Sequence, residues 1–221
     1  MPARTLRLAH RGDWRHAPEN SIAAFTAALA IPACDGLEFD VRASADGVPV
    51  VCHDATLERT HRRADRVNGL SAAALEALAV PTLAEVLAVA GRRPFLDVEL
   101  KEDLGKGVVE LLAGARGPSL SNAVVSSFEV AALERIGHLA PAWPRWLNSH
   151  TLGSFEIDTA SRLGCRGVAV QWRALDAGSV ARAQAAGLEV ASYTVRRRST
   201  FDRLARLGVV AVCVEAAALD G

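Results

Sequence analysis

The chain has no CxxC pair, no surplus of charge of either sign, and nothing resembling the run of about 20 apolar residues that a membrane span requires. Each absence excludes something. The four cysteines, Cys34, Cys52, Cys165 and Cys213, are scattered, three of them in or beside apolar strand-like runs. Buried free thiols are therefore their expected state. The 25 basic and 25 acidic residues cancel to a net charge of +0. That argues against a polyanion-binding surface such as one for nucleic acid, an acidic tail, or a basic face seeking membranes. Any phosphate recognition has to be local. The N-terminal Met1-Pro-Ala-Arg-Thr-Leu-Arg-Leu-Ala lacks an apolar run after its basic start, so no signal peptide and a cytoplasmic location are expected. No GxGxxG follows an early strand, which speaks against a doubly wound dinucleotide-binding sheet. There is no linker, low-complexity segment or repeat, and one domain is expected over residues 1–221.

What is present is an aliphatic-rich chain, 50% hydrophobic, in which strand-like and helix-like stretches alternate. Strands are predicted over 6–12 (running into a turn), 36–42, 48–54, 95–101, 123–127, 144–148, 167–171, 188–195 and 209–214. Helices are predicted at residue 20 or 21 onward, over 71–90 with a break at Pro81, and over 105–115, 129–137, 154–163, 176–186 and 199–207. Thr82 with Glu85, and Ser199 with Asp202, have capping-box spacing. Gly164, Gly187 and Gly208 stand where helices should end. Alternating units in this number predict an α/β fold, a closed (β/α)8 TIM barrel, over an open sheet.

The stretch Gly36-Leu37-Glu38-Phe39-Asp40-Val41-Arg42 organises the rest. With a strand period of two, Leu37, Phe39 and Val41 face one way, and Glu38 and Asp40 the other. Two buried carboxylates side by side need compensating positive charge, and a hard cation with oxygen ligands supplies it most directly. Further polar residues fall at strand ends, where barrel enzymes keep their chemistry: His10 and Arg11, then His53, then Glu99 and Lys101. An ordinary barrel interior holds Val, Ile and Leu instead.

Taken in order, His10-Arg11-Gly12, Pro18-Glu19-Asn20, Glu38-x-Asp40, Asp46-Gly47, His53-Asp54, Arg59-Thr60 and Glu99-x-Lys101 resemble the glycerophosphodiester phosphodiesterase family. Weaker likenesses follow at Val125-Ser-Ser-Phe128 and Tyr193-Thr-Val195. The resemblance implies a TIM barrel that hydrolyses a small-molecule glycerophosphodiester with a divalent metal ion, Mg²⁺ or Ca²⁺. By position it implies Glu38, Asp40 and Glu99 as metal ligands, His10 and His53 as the acid/base pair, and Arg11 and Lys101 on the phosphate. Tyr193 would line the substrate pocket where the family usually has Trp. Asp97, roughly 6–7 Å deeper than Glu99 on the same face, would be either a support for the site or a polar residue of the layer below. The chain ends its last strand on Val212-Cys-Val-Glu215 where the family usually closes on Thr-Asp. It passes quickly from His53 to Pro81-Thr82, which implies a compact, open mouth. Two other activities fit the same barrel: a lysophospholipase D or sphingomyelinase D-like reaction, with Trp143, Trp146 and Trp172 as candidates for an apolar rim, and non-catalytic phosphate binding. The last predicts loss of a histidine or a ligand, and none is lost. The resemblance leaves open which histidine is the base.

Overall fold

The computed structural model describes residues 4–221. Eight parallel strands close into a barrel: β1 (Leu6–His10), β2 (Gly36–Ala43), β4 (Phe95–Leu100), β5 (Ala123–Ser127), β6 (Arg145–Ser149), β7 (Gly167–Gln171), β8 (Glu189–Val195) and β9 (Ala211–Val214), with β9 returning to pair with β1. The TIM barrel expected from the alternation is thus the fold. Helices α1 (Ile22–Leu29), α4 (Leu83–Ala90), α5 (Gly105–Arg116), α6 (Val130–Leu139), α7 (Ser154–Arg162), α8 (Ala177–Ala185) and α9 (Arg198–Arg206) connect the strands. The outward residues of the strands, among them Leu37, Phe39, Val41, Leu96 and Val98, form one apolar cluster with the helices. At about 25 cal/mol per Å² of apolar surface removed from water, this layer is the main source of stability.

Local chemistry sets the helix starts. Ser21 caps α1 by accepting from Ala24 N, and Thr82 and Glu85 form the expected capping box on α4. The Ser199–Asp202 pair does not cap α9: that helix begins at Arg198, with Arg197 at the N-cap position and no side-chain cap. Gly187 and Gly208 close their helices at φ +78° and +83°, a conformation in which a Cβ is strained.

One expected strand is different. The stretch 48–54 is strand only at β3 (Pro49–Val51), and it runs antiparallel to β2, with Val41 opposite Val51 and Ala43 opposite Pro49. The turn at Asp46-Gly47 leaves too few residues for a parallel crossover, so the return strand can only be antiparallel. His53 therefore reaches the barrel mouth on a hairpin extension of β2. Nor is the mouth bare beyond it. With α2 (Glu58–His61) and α3 (Ala72–Glu76), this excursion buries a small core of its own from Val50, Cys52, Leu57, Val67, Leu75 and Val80.

Inside the barrel, Leu8, Val124, Trp146, Ala169, Ala191, Ala211 and Cys213 fill the floor. The layer above them is polar. Among the described residues no helix is long and apolar enough to cross a membrane.

Candidate active site

Strand register assembles the polar layer. Glu38 pairs with His10 on one side and Asp97 on the other, and Asp40 pairs with Glu99. Neighbouring strands lie only about 4.8 Å apart, so alternation along β2 and β4 is enough to bring these acids together. Glu38, Asp40 and Glu99 offer one oxygen each within 4.8 Å of one another. Glu38 and Asp40 are almost wholly buried, at 3% and 1% exposure. Burial, with Asp40, Glu99 and Asp97 nearby, holds the Glu38 carboxyl well above its usual range. Burial and Asp40 likewise raise Glu99. Burial also opposes ionisation of Asp40, but Arg11 and Lys101 outweigh it and keep that carboxyl low. Burial lifts Asp97 to about 7, although Ser126 Oγ donates to it at 2.6 Å.

This donor set fits a divalent cation. All the offered atoms are carboxylate oxygens, Asp40 Oδ1 is buried without a hydrogen bond, and the charge on Glu38 and Glu99 is opposed by their surroundings. An oxygen-only set suits a hard divalent cation rather than a softer metal.

Positive charge borders the acids. Arg11, in a turn at φ +59°, places its backbone N–H on the Glu38 carbonyl and its guanidinium 3.2 Å from Asp40. Gly12 makes that turn possible: it sits at φ +81°, and a Cβ there would lie 2.7 Å from the Ala24 backbone carbon. Asn20 donates to Asp40 Oδ2 at 2.9 Å, and Lys101 bridges Glu99 and Asp40.

The two histidines are each held at Nδ1 by a carboxylate. His10 lies 2.6 Å from Glu215 Oε1, with its Nε2 3.8 Å from Glu38, and His53 lies 2.6 Å from Asp54 Oδ1. Burial lowers the His53 pKa, with Arg11 and Lys101 acting in the same direction against Asp40. Asp54 is itself bonded to Arg59, Arg59 to Glu19, and Glu19 to Arg11. Of the residues named from the sequence, His10, His53, Arg11, Lys101, Tyr193, Glu38 and Glu99 line one cavity of about 500 Å³, and Asp40 joins Glu38 and Glu99 in the carboxylate cluster. Tyr193 donates to the Ser149 carbonyl at 2.7 Å and meets Phe128 edge to face.

With this geometry in place, comparison with known proteins is decisive. The model of the glycerophosphoryl diester phosphodiesterase family matches residues 10–219. The chain belongs to that family. A glycerophosphodiester phosphodiesterase of Caldanaerobacter subterraneus is 34% identical over 156 residues, a match covering 62% of this chain and 64% of that protein. A probable glycerophosphodiester phosphodiesterase 1 of Mycobacterium tuberculosis is 30% identical over 236 residues, covering 91% of this chain and 86% of its own. Among solved structures, a phosphodiesterase of Oleispira antarctica in complex with the product sn-glycerol-3-phosphate superposes with a TM-score of 0.83 at 28% identity, over 96% of this chain and 93% of that one.

The structure also adds residues to which sequence reasoning gave no task. Glu215 is the carboxylate on His10, and its only sequence signal is a lone acid after the apolar run Val212-Cys-Val. Asp54, Glu19 and Arg59 stood in quoted motifs, but their contacts span up to 40 residues of sequence. Two of the three rim candidates are elsewhere: Trp146 is in the barrel floor, and Trp143 is buried with its Nε1 on the Pro118 carbonyl.

Proposed function

We propose that the protein hydrolyses glycerophosphodiesters to glycerol 3-phosphate and an alcohol, with a divalent metal ion held by Glu38, Asp40 and Glu99. The observation that carries this reading is the convergence, in one cavity, of an all-oxygen carboxylate cluster, two carboxylate-held histidines and two cations, Arg11 and Lys101. A phosphodiester is a stable anion. Its cleavage needs the charge on phosphorus neutralised, one proton removed from the nucleophile and one delivered to the leaving oxygen. Bound, the cation supplies Lewis-acid neutralisation of phosphate charge.

The chain's own residues supply the rest. Arg11 and Lys101 hold the phosphate oxygens. His10 and His53, each presenting Nε2 away from its partner carboxylate, carry the two protons. No Ser, Cys or Thr stands in a matching motif position to form a covalent intermediate, so the substrate provides the nucleophile. The glycerol hydroxyl next to the phosphate attacks phosphorus, one histidine taking its proton while the other protonates the departing alcohol. Water then opens the resulting cyclic phosphate to glycerol 3-phosphate, with the histidines in reversed roles. An adjacent hydroxyl has an entropic advantage over free water, with effective molarities on the order of 10⁵ M. Tyr193 lines the same cavity.

The test is turnover of glycerophosphocholine, -ethanolamine and -inositol and of lysolipids, with Mg²⁺ or Ca²⁺ restored after chelation. Metal-restored release of glycerol 3-phosphate from the glycerophosphodiesters is expected. Release from none of them, with either ion, overturns the reading. Preference for lysolipids would move it to a lysophospholipase D-like activity.

A further inference from the structure

A second cavity, of about 580 Å³, opens beside the first and shares Tyr193 and Thr194 with it. Its wall carries three arginines, Arg173, Arg196 and Arg197, and no carboxylate. Resting on the reading of the main site as a glycerophosphodiester phosphodiesterase, we propose that this cavity binds a second phosphate, carried on the far end of the leaving alcohol. The preferred substrate class is then a glycerophosphodiester whose alcohol is a phosphorylated polyol. Hydrolysis adds one water across the diester and releases glycerol 3-phosphate and the phosphorylated alcohol.

The arginines differ in how they are held. Arg196 is engaged by Glu215, at 2.7 Å, on the side facing His10. Arg173 and Arg197 have no acid within ion-pair distance among the described residues, in a chain where most mouth-side cations do. Arg173 lies over Trp172, its guanidinium carbon 4.4 Å from the ring centroid. Arg203 fixes that segment by donating to the carbonyls of Trp172 and Leu175. A stacked guanidinium loses little freedom on binding an anion and keeps its fork of donors available.

The N-terminus of α9 faces the same cavity through Thr200. A helix N-terminus carries partial positive charge and suits an anion. This one begins with Arg197 and Arg198 and lacks both a side-chain cap and an acid in its first turn. Cations at that end are unfavourable unless an anion joins them. Solvated arginines scattered on a convex surface would need no partner. Here three line a concavity without acids that shares Tyr193 and Thr194 with the reaction cavity, and a doubly charged phosphate is the occupant that complements them. Cationic alcohols such as choline are repelled by the same wall.

The experiment compares kcat/KM for glycerophosphoglycerol, the same compound bearing a terminal phosphate, and glycerophosphocholine. The phosphate-bearing diester should exceed its neutral counterpart by about tenfold or more at low salt, choline being last. The advantage should shrink as ionic strength rises. In the Arg173→Gln, Arg197→Gln double variant the phosphate-to-neutral ratio should fall to near one. A calorimetric arm, with phosphonate analogues of the first two compounds, reads the same ratio without turnover. Equal kcat/KM for both diesters, or a ratio unmoved by salt and by the double variant, overturns the second phosphate site and leaves the main reading standing. Discrimination between the analogues without hydrolysis of any diester overturns the main reading and leaves the anion cavity standing.

Discussion

His10 and Glu215 are 205 residues apart in sequence and 2.6 Å apart in space, the first strand of the barrel meeting the residue after the last. The carboxylate is itself kept ionised: burial works against its charge, and the bonds to His10 and Arg196 override it. Replacing Glu215 by Gln keeps an acceptor for the ring but removes the charge that favours the imidazolium. We expect kcat to fall by about 10²-fold, within the range of general acid–base contributions, with KM nearly constant. The shape of the pH–rate profile should change with it. An unchanged profile would show that the contact is only structural.

Metal dependence is the second expectation. Glu38→Gln removes one of three ligands, and the Kd for Mg²⁺ or Ca²⁺ measured by calorimetry should rise by ~100-fold or more. The fold should survive, because burial already disfavours the charge that the substitution deletes. Full activity of the parent protein in excess chelator would refute this.

Asp97 provides a stability test in metal-free protein. Its folded pKa is about 7 against 3.8 for the free side chain. A raised folded value means that its contribution is fully present below 3.8 and is lost as pH rises through about 7. Asn at this position does not titrate and still accepts from Ser126. The advantage of Asp97→Asn over the parent should therefore grow across that window, on the order of 4 kcal/mol, and stay flat above it. Thermal melts in chelator from pH 4 to 8 check this, and a constant difference would contradict it.

The nucleophile can be tested with a substrate alone. A glycerophosphodiester lacking the hydroxyl adjacent to the phosphate should bind with an ordinary KM and turn over very slowly. Hydrolysis at the parent rate would mean that water attacks phosphorus directly.

Much of this was legible in the sequence, for reasons that particular residues make plain. A period of two along Leu37–Arg42 separates the acids from the apolar face, and a parallel barrel can only turn the acids inward. Capping chemistry at Thr82 with Glu85 is local and reads correctly, because both partners lie within one turn. At α9 the same pattern misled: Ser199 has capping spacing, but the chain leaving β8 has already turned helical at Arg198. His53 was placed at a strand end and is there in space, though the strand beneath it is an antiparallel hairpin. Glu215 could not be assigned, since nothing short of barrel closure brings it to His10.

That hairpin gives the two proposed proton carriers different foundations. His10 rests on the barrel wall, and His53 on an excursion with its own apolar centre around Leu57 and Leu75. The cavity is a seam between two packing units. The alternating charges Arg11, Glu19, Arg59 and Asp54 form the stitching across that seam. The spacing of the histidines thus depends on these ion pairs as well as on the β2–β3 hairpin, and substitutions far from either ring can retune it.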